Sequence, residues 1–225
     1  MTDKQFFVAF EGLDGAGKST LFEALGPLLK NRIKSKLVLV DKKYPPAFSS
    51  YTDNHISTIR SILWEYPKGA PMDELGDMHW LYLLAAWFHV IDNTQIKPAL
   101  VEGHNVIMES WCYKYLVRYR LKADYMYEAM LTAFYSLTRP SPVIYIDVDP
   151  KIAAERKTSY GFSESGGMDG LKGSSKSDFI AYQNTLREIY LDLAAQNGWM
   201  IIKADHKPID FMAHEVMESL SDFGI

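Results

Sequence analysis

Near its start the chain reads Phe6-Phe7-Val8-Ala9-Phe10-Glu11-Gly12-Leu13-Asp14-Gly15-Ala16-Gly17-Lys18-Ser19-Thr20, an apolar run that passes directly into a glycine-rich loop. Leu21, Leu25, Leu28 and Leu29 then recur at helical spacing. The order of elements is therefore strand, loop and helix. The loop has the spacing Gly, four residues, Gly-Lys-Ser, which indicates a phosphate-binding loop when a strand precedes it and a helix follows it.

Each residue type in this loop meets one requirement of phosphate binding. The glycines let backbone N–H groups turn toward phosphate oxygens without a Cβ clash. Lys18 adds a cation that can follow the β- and γ-phosphates, and the Ser19 hydroxyl can ligate Mg²⁺. The helix that follows directs its positive end at the same anion. The residues predicted to bind ATP are Gly12, Leu13, Asp14, Gly15, Ala16, Gly17, Lys18, Ser19 and Thr20.

Further apolar segments alternate with amphipathic ones along the rest of the chain. Besides the first strand, the strands are predicted at 36–40, 106–108, 143–146 and 199–203. Helices are predicted at 51–65, 74–102, 150–156, 178–196 and 208–221. This alternation predicts an α/β protein with the P-loop NTPase fold, in which helices cover both faces of a five-stranded parallel sheet. We expect a single domain over residues 1–225.

Composition limits the classes of protein to which the chain can belong. The 225 residues are 48% hydrophobic and 23% charged, as in ordinary globular proteins. The formal charge of −4 argues against a nucleic-acid polymer as partner. The single cysteine, Cys112, excludes an intrachain disulfide and fits a reducing cytosol. The most apolar later stretch, 80–91, is too short to cross a bilayer, so we expect a cytoplasmic protein without a membrane partner.

The segment 7–20 closely resembles the opening of the thymidylate kinases, which transfer the γ-phosphoryl group of ATP to dTMP. The likeness continues at Ile96-Lys97-Pro98-Ala99-Leu100 and at Tyr145-Ile146-Asp147-Val148-Asp149-Pro150. The resemblance implies ATP and Mg²⁺ as cofactors, a nucleotide or nucleoside as acceptor, and a homodimer. It also implies a mobile lid at about 157–177 that closes over ATP. The family's lid supplies a basic residue to the transferring phosphoryl group, and the candidates here are Arg156, Lys157, Lys172 and Lys176.

The resemblance also implies acceptor contacts. Lys43 and Tyr44 match a basic-aromatic-proline segment in which a cation meets the acceptor phosphate. Arg60 falls where a helix arginine is common in the family, and Asp14 corresponds to a residue that contacts the acceptor's sugar hydroxyl. Tyr182, with its neighbour Gln183, corresponds to residues near the acceptor base.

The acceptor side departs from the family in two places. Where thymidylate kinases have Asp-Arg-Tyr after the third strand, this chain has Glu109-Ser110-Trp111, and the arginine that grips the acceptor phosphate is absent. Where they have Ala-Ala-Asp-Arg in the preceding helix, this chain has Ala85-Ala86-Trp87-Phe88. The arginine that contacts thymine is therefore absent too.

Several of these residues have a structural interpretation beside the functional one. Glu109 can act on Mg²⁺ or the acceptor as a catalytic group, or it can cap the next helix. Trp111 can stack on a base or fill the core, and we favour stacking. Lys114 and Arg118 can replace the missing phosphate contact, or they can lie on a solvated helix face. For Asp147 we favour a structural role.

The sequence thus predicts an ATP-dependent nucleoside monophosphate kinase with altered acceptor specificity. Lys18, Asp14, Glu109 and Arg156 are the predicted catalytic residues, with Ser19 and Glu109 at the metal. One alternative is a kinase of deoxynucleoside 5′-hydroxyl groups, in which Glu109 would act as the base. The other alternative is a kinase-like protein that binds nucleotide without catalysing transfer.

Overall fold

A single parallel β-sheet forms the centre of the protein. The computed structural model describes residues 5–33, 37–41, 49–67, 69–171 and 173–221. Its strands lie side by side in the order β2-β3-β1-β4-β5, and every pairing is parallel. The strands are β1 (Phe7–Gly12), β2 (Leu37–Val40), β3 (Asn105–Met108), β4 (Val143–Asp147) and β5 (Met200–Lys203). The sheet has the five parallel strands that were predicted, and the phosphate-loop strand β1 is central.

Helices cover the sheet on both faces, in agreement with the prediction. Their bounds are α1 (Lys18–Arg32), α2 (Ser50–Trp64), α3 (Asp77–Ile91), α4 (Lys97–Val101), α5 (Tyr113–Tyr119), α6 (Asp124–Phe134), α7 (Pro150–Glu155), α8 (Lys176–Asn197) and α9 (Ile209–Ser221). Among the described residues, no helix combines the length and the apolar character that crossing a membrane requires.

The alternation of side chains along β1 shows how the two faces are filled. Val8 and Phe10 join one apolar cluster with residues of α1, α8 and α9. Phe7 and Ala9 join a second cluster with residues of α2, α3 and α6. Successive side chains of a strand point to opposite faces, so a strand buried on both faces is apolar at nearly every position.

The predicted helix at 74–102 is interrupted. A 3₁₀ turn at Met72–Leu75 precedes α3, and a π-helical turn at Asp92–Ile96 separates α3 from α4. Pro98 explains the second irregularity, because proline has no N–H to donate to the carbonyl four residues earlier and its ring crowds that carbonyl. The apolar periodicity of the sequence did not predict the helices α5 and α6.

Glycine, serine and charged residues dominate the segment 159–177, a composition that predicts no contribution to the core, but the segment does contact the core. It contains two 3₁₀ turns, Phe162–Ser165 and Gly167–Asp169. Ser165 is fully buried, and Met168 packs against the apolar cluster that contains Phe7. The prediction was wrong on this point because it counted apolar residues and missed small residues that fit close to the core.

Candidate active site

The phosphate loop joins the carboxyl end of β1 to the start of α1, and two of its glycines are required by close contacts. Gly15 has φ 81°, and a Cβ there would lie 2.9 Å from the carbonyl oxygen of Ala153 in α7. A Cβ at Gly12 would lie 2.8 Å from the carbonyl oxygen of Ile146. Any larger residue at either position would push the loop away from the elements that hold it.

Lys18 lies along the inside of this loop. It is 7% exposed, and its Nζ donates to the carbonyl oxygens of Gly12 and Leu13, each at 2.7 Å. The ammonium group is therefore placed where the loop turns. The first N–H groups of α1 have no partner within the helix, so this cation and the helix end together form an anion site.

Ser19 and Glu109, the two predicted metal ligands, lie against each other. The Ser19 Oγ donates to the Glu109 Oε1 at 2.6 Å, and Glu109 is 5% exposed at the end of β3. Hydroxyl and carboxylate oxygens are the donors that Mg²⁺ prefers, and protein-bound Mg²⁺ usually combines one or two such groups with waters and substrate phosphates. No cluster of three or more His, Cys, Asp or Glu side chains suited to a metal occurs in the described part of the chain. The pair fits a phosphate-assisted Mg²⁺ site.

Arg156 closes the other side of the loop. Its Nη1 donates to the Ala16 carbonyl at 3.3 Å, and its Nη2 donates to the Ala204 carbonyl at 2.9 Å. The predicted catalytic residues thereby surround one cavity of about 320 Å³. This cavity, the phosphate cavity, is lined by Asp14, Gly15, Ala16, Gly17, Lys18, Ser19, Thr20, Glu109 and Arg156.

A second cavity, of about 330 Å³, shares Asp14 with the phosphate cavity. We call it the acceptor cavity. Its walls combine charged groups near the loop with aromatic rings farther away. They are formed by Asp14, Trp64, Tyr66, Trp87, Phe88, Ser110, Trp111, Lys114, Tyr115, Arg118, Ser163 and Glu164.

An ion pair connects α5 to the phosphate loop at the boundary of the two cavities. The Lys114 Nζ lies 2.6 Å from the Asp14 Oδ1. Burial alone would raise the pKa of Asp14, but the charges of Lys114, Lys18 and Arg118 lower it well below its usual value. Asp14 is therefore ionised throughout the neutral range and holds Lys114 beside the loop.

Arg118 lies one turn farther along α5 and is held by Tyr182. Its Nε donates to the Tyr182 hydroxyl at 3.1 Å, and its guanidinium lies 5.7 Å from the centre of the Tyr182 ring. The Arg118 Nη2 has no hydrogen-bond partner among the described residues. Tyr182 is absent from the residues that line the acceptor cavity, whereas Arg118 is one of them. Tyr182 therefore affects the cavity indirectly, through its contact with Arg118.

Aromatic side chains lie at or next to Phe88 and Ser110, the positions where the resemblance places the family's missing arginines. Trp111 is 1% exposed, its Nε1 donates to the Thr138 carbonyl at 3.1 Å, and its ring stands edge-on to Phe88. Trp87 is fully buried and edge-on to Trp64. Trp111 therefore packs in the core and also lines the acceptor cavity, and its stacking on a base stays a prediction.

Not every predicted acceptor residue is brought to this site. Arg60 forms a 2.6 Å ion pair with Glu65 and is not among the residues that line the acceptor cavity. Lys43 and Tyr44 lie outside the described residues, as does Lys172. Their predicted roles remain predictions.

Two buried polar residues have structural contacts that the sequence did not predict. Glu11 had no predicted role, and Gln183 was predicted to lie near the acceptor base. Glu11 is fully buried in β1, and its Oε1 accepts from the backbone N–H of Trp111 at 2.8 Å. Gln183, predicted to touch the base, accepts from the Asp14 N–H at 3.2 Å and donates to the Glu164 carbonyl. A carboxylate inside an apolar strand was the available signal for Glu11, because such a charge must be paired where it is buried.

The glycine loop between a central parallel strand and the first helix defines a nucleotide-binding protein of the P-loop NTPase fold. A profile of the family described as "Thymidylate kinase" matches residues 10–216. The chain belongs to the thymidylate kinase family.

Known proteins extend this assignment over nearly the whole chain. It is 28% identical over 207 residues to a Pyrobaculum aerophilum protein named "Probable thymidylate kinase", with 92% of each chain covered. It is 27% identical over 226 residues to a thymidylate kinase of Vibrio parahaemolyticus, covering 98% of this chain and 97% of the relative. Among solved structures, thymidylate kinase from Candida albicans matches with a TM-score of 0.69 at 17% identity, over 98% of this chain and 93% of that one.

Proposed function

We propose that this thymidylate-kinase-like nucleotide kinase transfers the γ-phosphoryl group of ATP to a nucleoside monophosphate, with an acceptor preference that differs from that of an ordinary dTMP kinase. One observation supports this most directly. Lys114 and Arg118 both line the acceptor cavity, next to the phosphate loop. They offer a phosphate-binding pair in place of the family's absent arginine.

The electrostatics favour a monophosphate over an uncharged nucleoside. A chain with a formal charge of −4 does not attract anions as a whole, so a phosphate must be met by local cations. Lys114 is tied to Asp14 by one contact, and an ammonium group has three donors. Arg118 lines the same cavity, and its pKa is raised above its usual value, so it remains charged. Lys114 therefore has donors left for phosphate oxygens, and Arg118 adds a second positive charge.

The aromatic side chains that line the acceptor cavity support a change in base preference. Phe88 stands where the family has its thymine-contacting arginine, and its ring packs edge-on against Trp111 and Tyr115. Aromatic rings bind any nucleobase through its flat face, whereas an arginine donates to particular atoms on the base edge. The site therefore relies on stacking and shape more than on hydrogen bonds to thymine.

The phosphate cavity supplies the residues for transfer. Lys18 and the start of α1 hold the phosphates of ATP, and Arg156 lies across the loop to stabilise charge on the transferring group. Ser19 and Glu109 would hold Mg²⁺, which neutralises developing phosphoryl charge when it is bound. Asp14 keeps Lys114 ordered between the two nucleotides. The catalysis is by positioning and charge stabilisation.

The position of Glu109 also bears on the nucleoside-kinase alternative. Glu109 lines the phosphate cavity and accepts a hydrogen bond from Ser19, and it is not among the residues that line the acceptor cavity. A base for an acceptor hydroxyl must lie within hydrogen-bond reach of that hydroxyl. This placement favours the metal role and, with it, the monophosphate acceptor.

A coupled ADP-release assay over the common nucleosides and nucleoside monophosphates tests the proposal. We expect turnover of at least one monophosphate. The kcat/KM for dTMP should be at most about tenfold higher than the kcat/KM for the best of the other monophosphates. Turnover of nucleosides alone would contradict the monophosphate proposal. A preference for dTMP of several hundredfold would contradict the altered specificity.

A further inference from the structure

We propose that Tyr182 and Asp169 are positioning residues for Arg118, and that docking of the 3₁₀ turn Gly167–Asp169 against the loop after α5 thereby sets the affinity for the acceptor phosphate. The inference rests on the proposed function, in which Arg118 contacts that phosphate. It assigns Tyr182 a role other than base contact, and it gives the segment 157–177 a connection to the acceptor.

The first step is the orientation of the Tyr182 hydroxyl. Tyr182 is 2% exposed, and its hydroxyl donates to the Asp169 Oδ2 in a short hydrogen bond. A phenol has one proton, so the same oxygen can only accept from Arg118. The Arg118 Nε donates to it at 3.1 Å. The guanidinium can only donate and the carboxylate of Asp169 can only accept, so the Tyr182 hydroxyl links them with one direction of hydrogen bonding.

The second step is the anchoring of Asp169. The Lys122 Nζ lies 2.9 Å from the Asp169 Oδ1 and 2.6 Å from the Asp77 Oδ1, and it donates to the Met168 carbonyl at 2.7 Å. The three donors of the ammonium group are thus all used. The side chains of Lys122 and Asp169 are 9% and 5% exposed, so solvent screens this pair weakly. The turn Gly167–Asp169 is held to the loop after α5 by buried charges.

The third step is the effect on Arg118. An arginine side chain has many rotamers, and ordering it before the ligand arrives reduces the entropy lost on binding. Tyr182 fixes the guanidinium by a hydrogen bond to its Nε and by contact with the aromatic ring, and the side chain fixed in this way lines the acceptor cavity. Burial alone would lower the pKa of Arg118, but Tyr182, Asp14 and Asp169 raise it, so the positive charge is secure.

Phosphate affinity in this arrangement depends on a side chain outside the acceptor cavity. Asp169 does not line that cavity. It acts through Tyr182, which acts through Arg118. Any movement of the turn Gly167–Asp169 away from Lys122 would release the Tyr182 hydroxyl and, with it, the orientation of the guanidinium.

A double-mutant cycle tests the inference in the full-length enzyme, with the best monophosphate from the acceptor panel as substrate. Tyr182→Phe removes only the hydroxyl, and we expect it to raise KM for the monophosphate about tenfold while KM for ATP stays unchanged. Asp169→Asn should shift KM in the same direction. The double variant Tyr182→Phe/Arg118→Met should be no worse than Arg118→Met alone, because Tyr182 acts through Arg118. Glu188→Gln, at an exposed acid on the same helix, is the matched control and should leave both KM values unchanged.

Additive effects of Tyr182→Phe and Arg118→Met on KM for the monophosphate would overturn the inference. The inference would also fail if Arg118→Met raised this KM while Tyr182→Phe and Asp169→Asn both left it unchanged. The proposed function would stand in both cases. An Arg118→Met enzyme with normal KM for the monophosphate would instead remove Arg118 from the proposed function, and the inference would fail with it. Thermal unfolding of each variant distinguishes these outcomes from misfolding.

Discussion

The Lys114 ammonium on α5 lies 2.6 Å from the Asp14 carboxylate in the phosphate loop, although the two residues are 100 positions apart in the chain. The contact places a cation of the acceptor cavity against the phosphate loop. Asp14 lines both cavities, so the boundary between the two cavities passes through this pair. Changes on either side of the pair should therefore affect one nucleotide more than the other.

Lys18→Met should lower kcat by about 100-fold or more, because it removes the cation that lies against the transferring phosphates. The stem of the methionine fills the same space, so the melting temperature should change little. Steady-state kinetics with saturating substrates measure the effect, and Lys30→Met near the other end of α1 is the control. A Lys18→Met enzyme with most of its wild-type rate would contradict the role of this lysine.

Ser19→Ala should raise the Mg²⁺ concentration needed for half-maximal activity by about tenfold or more, because a metal ligand and the hydrogen bond to Glu109 are lost together. Ser19→Thr keeps the hydroxyl and should restore most of the wild-type response. Titration of activity with Mg²⁺ at fixed ATP measures both. An unchanged titration in the alanine variant would show that the hydroxyl is not at the metal.

Asp147→Asn should lower the free energy of unfolding at pH 7 by about 1–3 kcal/mol, since Asp147 accepts from Arg187 Nε at 2.6 Å, from Arg187 Nη2 at 2.9 Å and from Lys203 Nζ. Burial alone would raise the pKa of this carboxyl, but the hydrogen bonds from Arg187 and Lys203 lower it. The substitution keeps the shape of the side chain, so the loss reflects charge and hydrogen bonding.

The same residue gives a pH dependence of defined sign. A carboxyl whose folded-state pKa lies below the unfolded value of about 3.9 stabilises the native state fully above that value. Its contribution is lost as the pH falls through the folded-state pKa. The difference between wild type and Asp147→Asn, measured by urea unfolding, should therefore shrink below about pH 4. A constant difference from pH 7 to pH 2.5 would contradict this account, and Asp192→Asn on the exposed face of α8 is the control.

The segment 157–177 should be protected from protease when both nucleotides are bound, because a lid that closes over ATP becomes less accessible. Lys176 and its neighbours 174–177 are exposed at the end of this segment. Trypsin cleavage there should slow when ADP and a monophosphate are added together, and less when either is added alone. Equal rates under all conditions would show that the segment does not close.

Most of the fold could be predicted from the sequence because the strands are continuous apolar runs and the loop motif has a fixed place between a strand and a helix. The order of the strands, with β1 in the centre, could not be predicted, because no local sequence pattern specifies which strands are neighbours. The short helix α5 could not be delimited in this way, because Val117 and Tyr119 pack into different apolar clusters on the two sides of the sheet. Its apolar residues therefore form no single stripe.

The residues of the phosphate cavity were also predictable, since most of them belong to the loop 14–20, Glu109 follows strand β3, and the family resemblance implied Arg156. The acceptor cavity was less so. The pairing of Lys114 with Asp14 and the buried contacts among Lys122, Asp169 and Tyr182 join segments that are far apart in the chain. Such contacts depend on tertiary packing, and a single sequence contains no periodicity that indicates them.

The most direct test of the account is the effect of Lys114→Met on the two Michaelis constants. The substitution removes the charge and keeps most of the stem, and Arg120→Met is the matched control, because Arg120 is exposed on the same stretch of chain and contacts Tyr127 instead of the cavity. We predict that Lys114→Met raises KM for the monophosphate about tenfold or more and changes KM for ATP less than about twofold. Equal KM values for the monophosphate in the wild type, Lys114→Met and Arg118→Met enzymes would contradict the proposal that these two cations hold the acceptor phosphate.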